Sequence, residues 1–128
     1  MSEELPCFML SDRLIQQLKR DSDVIAVFLF GSQVKGTARP YSDYDYCIIT
    51  KTDITRKKRK ELLSLSSKYV DMTVLSDLPP TIKFRVFKEG KPLFIKDKHY
   101  LRWVMIRTVK EYLDCKSMLE RVARRVLA

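Results

Sequence analysis

Seven consecutive apolar residues, Val24-Ile25-Ala26-Val27-Phe28-Leu29-Phe30, form the longest such run in the chain. Bounded by Asp21-Ser22-Asp23 and by Gly31-Ser32, a run of that length predicts a central strand covered on both faces. Ahead of it Leu10, Leu14, Ile15 and Leu18 recur at helical spacing, with Ser11 or Asp12 as candidate cap and Asp21-Ser22-Asp23 as terminator. After it, Gly31-Ser32 turns the chain into a short helix closed by Gly36, and residues 37–42, with Pro40, form a loop.

Residues 43–50 alternate. Asp43, Asp45, Cys47 and Ile49 take one side of a strand, and Tyr44, Tyr46 and Ile48 the other. Residues 52–67 read as a helix carrying the basic run Arg56-Lys57-Lys58-Arg59-Lys60. Residues 68–75 predict a third strand, Asp71 and Thr73 on one face and Val70, Met72 and Val74 on the other. Asp77-Leu78-Pro79-Pro80 introduces a further helix, with proline in its first turn and Gly90 as its C′ residue. Residues 91–96 suit a short edge strand. From Tyr100 onward one long helix carries a heptad-like seam of Leu101, Met105, Thr108, Tyr112, Cys115, Leu119, Val122 and Val126. Its default place is against the sheet. Strands and helices alternate throughout, which predicts an α/β (α+β) fold: a small mixed β-sheet flanked by helices. One domain is expected over residues 1–128.

Composition narrows the chemistry. No apolar stretch approaches the ~20 residues of a membrane span, and the acidic start Met1-Ser2-Glu3-Glu4 lacks a secretory n-region, so a cytoplasmic protein is expected. Three separated cysteines, Cys7, Cys47 and Cys115, suggest reduced thiols rather than a disulfide or zinc framework. The single His99 rules out a His-based metal cluster or triad within the chain, so any catalysis must run on carboxylates and metal. A net charge of +9 draws polyanions: nucleotide, nucleic acid or an acidic partner. The basic run has no aromatic residue for base stacking, so a solvated helix face is favoured over a nucleic-acid site. The helical seam suits a homodimer and a heteromer equally.

Gly31-Ser32 and Asp43-Tyr44-Asp45 stand ten residues apart, with strands on both sides. A Gly-Ser turn opening a helix can hold phosphate oxygens on backbone N–H groups. Aspartates at i and i+2 of a strand face one side, roughly 7 Å apart. Asp71 joins them if its strand is a neighbour. Three such carboxylates repel one another unless cations intervene. Two Mg²⁺ ions ~3.5–4 Å apart would clamp the attacking and leaving oxygens of an in-line displacement. The third carboxylate would complete a metal shell and help deprotonate an attacking hydroxyl. These residues predict a nucleotidyl-transfer site.

The pattern resembles the nucleotidyltransferases of the DNA polymerase beta superfamily, and more narrowly the minimal nucleotidyltransferase (MNT) family. Gly31-Ser32-Gln33-Val34-Lys35-Gly36-Thr37-Ala38-Arg39, then Ser42-Asp43-Tyr44-Asp45, carries that likeness. Val70-Asp71 and Lys88-Glu89-Gly90-Lys91-Pro92-Leu93-Phe94 also look like family landmarks, so the resemblance implies a nucleotidyltransferase core over about residues 11–97, with about 100–127 as the family's closing helix. The resemblance implies ATP as substrate, Mg²⁺ as cofactor and transfer of AMP to an acceptor. It further implies an antitoxin whose partner is a small helical HEPN toxin modified on tyrosine. Gly31 and Ser32 would hold the triphosphate, with Lys35 and Arg39 near the phosphates. Asp43 and Asp45 would bind metal, and Asp71 would be the third acid. Two other readings stand beside it: a non-catalytic module that neutralises its partner by binding, and an RNA-end nucleotidyltransferase.

Overall fold

The computed structural model describes residues 7–30, 44–66 and 70–127, with side chains from residue 12 onward. Helix α1 (Cys7–Arg20) leads to strand β1 (Val24–Phe30), then β2 (Tyr44–Thr50), helix α2 (Arg56–Leu63) and strand β3 (Val70–Val74). A 3-10 turn at Leu75–Asp77, helix α3 (Pro80–Glu89), strand β4 (Lys91–Ile95) and helix α4 (Lys98–Leu127) complete the order. The strands form one mixed sheet, β3-β2-β1-β4. β1 is antiparallel to both neighbours, and β3 is parallel to β2. The short helix expected after Gly31 lies outside the described residues.

Period-two alternation divides the core in two. Val27, Ile48, Tyr46, Met72 and Val74 pack on one face beneath Leu18 of α1 and Leu62 of α2. Phe28, Cys47 and Ile49 pack on the other beneath Val86 of α3 and Leu101 of α4. Each fully buried aliphatic side chain contributes about 1.5–3 kcal/mol. β1 is central, as its apolar run requires. Tyr44 and Tyr46 stack on the first face with ring centroids 6.2 Å apart. Both outer strands, β3 and β4, are five residues long, and Lys91 and Pro92 of β4 are exposed.

Several helix ends differ from the sequence expectation. α1 starts at Cys7, so Ser11 and Asp12 lie inside it; such residues cost only a few tenths of a kcal/mol within a helix. α2 is half the expected length. The Thr55 hydroxyl accepts the Lys58 N–H at 3.1 Å and starts the helix there. At the other end Ser64 Oγ donates to the Glu61 carbonyl, and Ser66 Oγ accepts the Met72 N–H. Serine hydroxyls thus divert the backbone from helix. α3 is preceded by the 3-10 turn, with Pro79 at its N-cap and Pro80 in its first turn.

Two members of the basic run are tied internally. Lys58 pairs with Asp21, and Arg59 pairs with Asp77 at 2.8 Å. Burial pushes the Asp21 carboxyl pKa up, but the Lys58 hydrogen bond, the Asp23 N–H and the charges of Lys58 and Lys96 together hold it below its ordinary value. Lys96 Nζ also donates to the Lys19 and Asp21 carbonyls, closing the α1–β1 corner.

Gly90 ends α3 for a reason other than handedness. Its φ of −73° and ψ of 154° are extended, a conformation open to any residue. A Cβ there would lie 2.3 Å from the Val86 carbonyl oxygen and 3.3 Å from that of Leu29. Close approach of backbone, not left-handed geometry, demands glycine.

α4 is capped by Asp97, whose Oδ1 accepts the Tyr100 N–H at 3.0 Å, so His99 sits exposed in its first turn. Thirty residues span about 45 Å. The seam splits. Leu101 and Thr108 are buried, and Tyr112 stacks on Phe84 of α3 at 4.1 Å. Beyond Cys115 the seam is open: Leu119 is 54% and Val126 70% exposed. Among the described residues no helix is long and apolar enough to cross a membrane.

Candidate active site

The parallel pairing of β2 with β3 brings two of the sequence-predicted acids together. Asp45 and Asp71 are register partners, flanked by the pairs Tyr44–Val70 and Tyr46–Met72. Adjacent strands lie ~4.8 Å apart, and register partners point to the same side. Tyr46, Val70 and Met72 go into the core, so both carboxylates are committed to the opposite face. Deeper along that face Cys47 and Ile49 are covered by α3 and α4, whereas Asp45 is half-buried and Asp71 exposed. The acids therefore occupy the open end of an otherwise roofed sheet.

β1 reaches the same end from the other side. Its last residue, Phe30, is the register partner of Asp45 and immediately precedes Gly31 in the chain. Gly31, Ser32, Lys35, Arg39 and Asp43 lie outside the described residues.

Two neighbouring carboxylates at an open sheet end offer hard oxygen donors, the type that Mg²⁺ prefers, and so fit as part of a divalent-cation site. Among the described residues no group of three His, Cys, Asp or Glu converges in this way. The third member expected from sequence, Asp43, is outside them. Cys47, on the same face, is no nucleophile: burial pushes its thiol pKa up to about 12.

One feature escaped the sequence reading. α4 carries a second apolar stripe outside the heptad seam, through Ile106, Val109 and Leu113, all exposed. Their spacing of three and four is itself helical and marks a second face. A groove of about 610 Å³ lies between Ile106 and Val109 of this stripe and Leu101 and Met105 of the seam, edged by Lys98, Arg102 and Lys110.

A four-stranded mixed sheet flanked by helices and closed by a long C-terminal helix is the fold of the polymerase beta class of nucleotidyltransferases. The family model described as "Polymerase beta, Nucleotidyltransferase" matches residues 12–99, and the chain belongs to that family. No curated protein matches it. Solved structures share the fold. A toxin–antitoxin complex with AMP-PNP superposes with TM-score 0.69 at 22% identity, covering 91% of this chain and 98% of the other. The MntA–HepT toxin–antitoxin gives 0.67 at 19% identity, covering 94% and 99%. A tri-AMPylated HEPN toxin in complex with MNT antitoxin, from Shewanella oneidensis, gives 0.66 at 20% identity, covering 94% and 98%.

Proposed function

We propose that the protein is a Mg²⁺-dependent adenylyltransferase that moves AMP from ATP to a hydroxyl, best a tyrosine, of a partner HEPN toxin, and so acts as its antitoxin. The observation that carries this reading is the register pairing of Asp45 with Asp71 at the open end of the sheet, beside the strand end that leads into Gly31-Ser32. The likeness to complexes described with AMP-PNP and with an AMPylated HEPN toxin supports it.

In this mechanism Gly31 and Ser32 hold the triphosphate through backbone N–H groups, with Lys35 and Arg39 on the phosphate oxygens. Asp43, Asp45 and Asp71 hold Mg²⁺. When bound, the metal offsets phosphate charge and acidifies the acceptor hydroxyl. Asp71 takes the proton of that hydroxyl as its oxygen attacks the α-phosphorus. The bond to the β-phosphate breaks, and pyrophosphate leaves with its electron pair. The test is incubation with labelled ATP, MgCl₂ and the purified toxin. Wild type labels the toxin, and Asp45→Asn and Asp71→Asn do not. An unlabelled toxin with wild type, or labelling that survives both substitutions, refutes the reading.

A second reading, neutralisation by binding alone, is favoured by the exposed apolar residues of α4 beyond Cys115. It expects Leu119→Asp and Val122→Asp to abolish co-elution with the toxin, and Asp71→Asn to retain full protection of cells.

A further inference from the structure

A second cavity opens at the other end of the sheet from Asp45 and Asp71, where β2 ends at Thr50. It encloses about 280 Å³ between the segment after β2, the 3-10 turn, α3 and α4. Its floor is apolar: Ile49 and Leu75 are buried, and Val104 packs against them. Its rim is cationic. Lys51, Lys83 and Arg107 reach it from three separate elements, against one carboxylate, Glu111. Glu111 is shared: Lys83 Nζ lies 3.4 Å from one of its oxygens and Arg107 4.0 Å from the other. Contacts that long leave most of the eight N–H donors of the two heads unused among the described residues. Trp103, 45% exposed, forms one wall, with the Arg107 guanidinium 4.8 Å from its ring.

The lining thus carries two net positive charges, an apolar floor and an aromatic wall. A phosphomonoester brings ~1.5–2 negative charges at neutral pH, with oxygens that accept from Lys and Arg together. The volume falls just below the ~300–1,000 Å³ of ordinary ligand sites, so the occupant is compact. We propose that this cavity binds a nucleoside monophosphate, its phosphate among Lys51, Lys83 and Arg107 and its ring against Trp103 and the floor. The site is separate from the paired aspartates and needs no metal.

The chain has a single tryptophan, so its emission reads this cavity directly. Titration of the full chain with AMP in EDTA should change that emission saturably, with adenosine and inorganic phosphate each about tenfold weaker or worse. Because Arg107 also touches the reporter, equilibrium dialysis with labelled AMP provides the second measurement. Lys83→Gln and Lys51→Gln should each raise the Kd about tenfold, and Lys57→Gln, the same charge change on the exposed face of α2, should leave it unchanged. Lys51→Gln lies on an exposed segment and keeps the test open if Lys83→Gln fails to fold. The proposal is overturned by any of three results: no saturable response at millimolar AMP, adenosine binding as tightly as AMP, or Lys51→Gln binding AMP as tightly as wild type.

Discussion

Replacing Gly90 by alanine separates two explanations for a glycine at a helix end. If glycine were present for a left-handed cap, asparagine would substitute well and alanine poorly. Here φ is −73°, and the obstacle is the Val86 carbonyl oxygen, 2.3 Å from where a Cβ would lie. Ordinary contact begins near 3.4 Å, so roughly 1 Å of separation must be created from the Val86 carbonyl, while the Leu29 carbonyl at 3.3 Å leaves no room to move away on the other side. The same oxygen accepts the Gly90 N–H at 2.8 Å, so moving it also weakens that bond. Overpacking at ~1–3 kcal/mol and a backbone bond at ~0.5–1.5 kcal/mol together give a loss of roughly 2–4 kcal/mol. For a chain of this size that lowers Tm by roughly 6–20 °C. Urea and thermal unfolding of Gly90→Ala and Gly90→Asn measure it, and both variants should lose stability alike. An asparagine variant near wild type, or both within ~0.5 kcal/mol of it, would refute the steric account.

Other outcomes follow from the same coordinates. Ile48→Ala, in the sealed core, should cost ~2–5 kcal/mol by urea unfolding, whereas Ile106→Ala, 51% exposed, should stay within ~0.5 kcal/mol. Lys58→Ala removes the partner that keeps Asp21 ionised. Because the folded Asp21 pKa lies below the unfolded 3.8, its contribution is complete above that value and lost as pH falls through the lower native one. The variant's deficit, ~0.5–1 kcal/mol at neutral pH for a half-buried pair at the surface, should therefore vanish in strong acid, as urea midpoints across pH will measure. Alkylation at about pH 8, mapped by mass spectrometry, should mark Cys115 and spare Cys47, whose thiolate is suppressed by burial.

The sheet was legible because its signals are local. The unbroken run of β1 marked a strand with both faces covered, and the alternation of residues 44–50 and 70–74 already separated acids from core. Register was not local. Nothing within β2 or β3 alone says that Asp45 falls beside Asp71; that follows from their parallel pairing. Helix ends failed where a single hydroxyl decided them, as at Thr55 and Ser64, because a helical apolar pattern does not record which N–H a side chain captures. Gly90 was legible as a helix end, but the reason for it was not, since the Val86 and Leu29 carbonyls crowd it only once helix and sheet are formed. The α4 seam reads as one stripe in sequence, whereas the body covers Leu101, Thr108 and Tyr112 and leaves Met105, the later seam residues and a second stripe outside. The cationic cavity joins residues more than fifty positions apart and leaves no mark in sequence.

The two outer strands constrain how the molecule can meet others. A five-residue strand beginning Lys91-Pro92 offers little main chain for a neighbour to pair with, and β3 at the far side is equally brief. Larger assemblies are therefore expected to grow through side-chain contacts along helices, above all the overhanging end of α4, and not by extending one β-sheet across molecules. An interface of that kind can be loosened or rebuilt one side chain at a time without disturbing the chemistry at the sheet's open end.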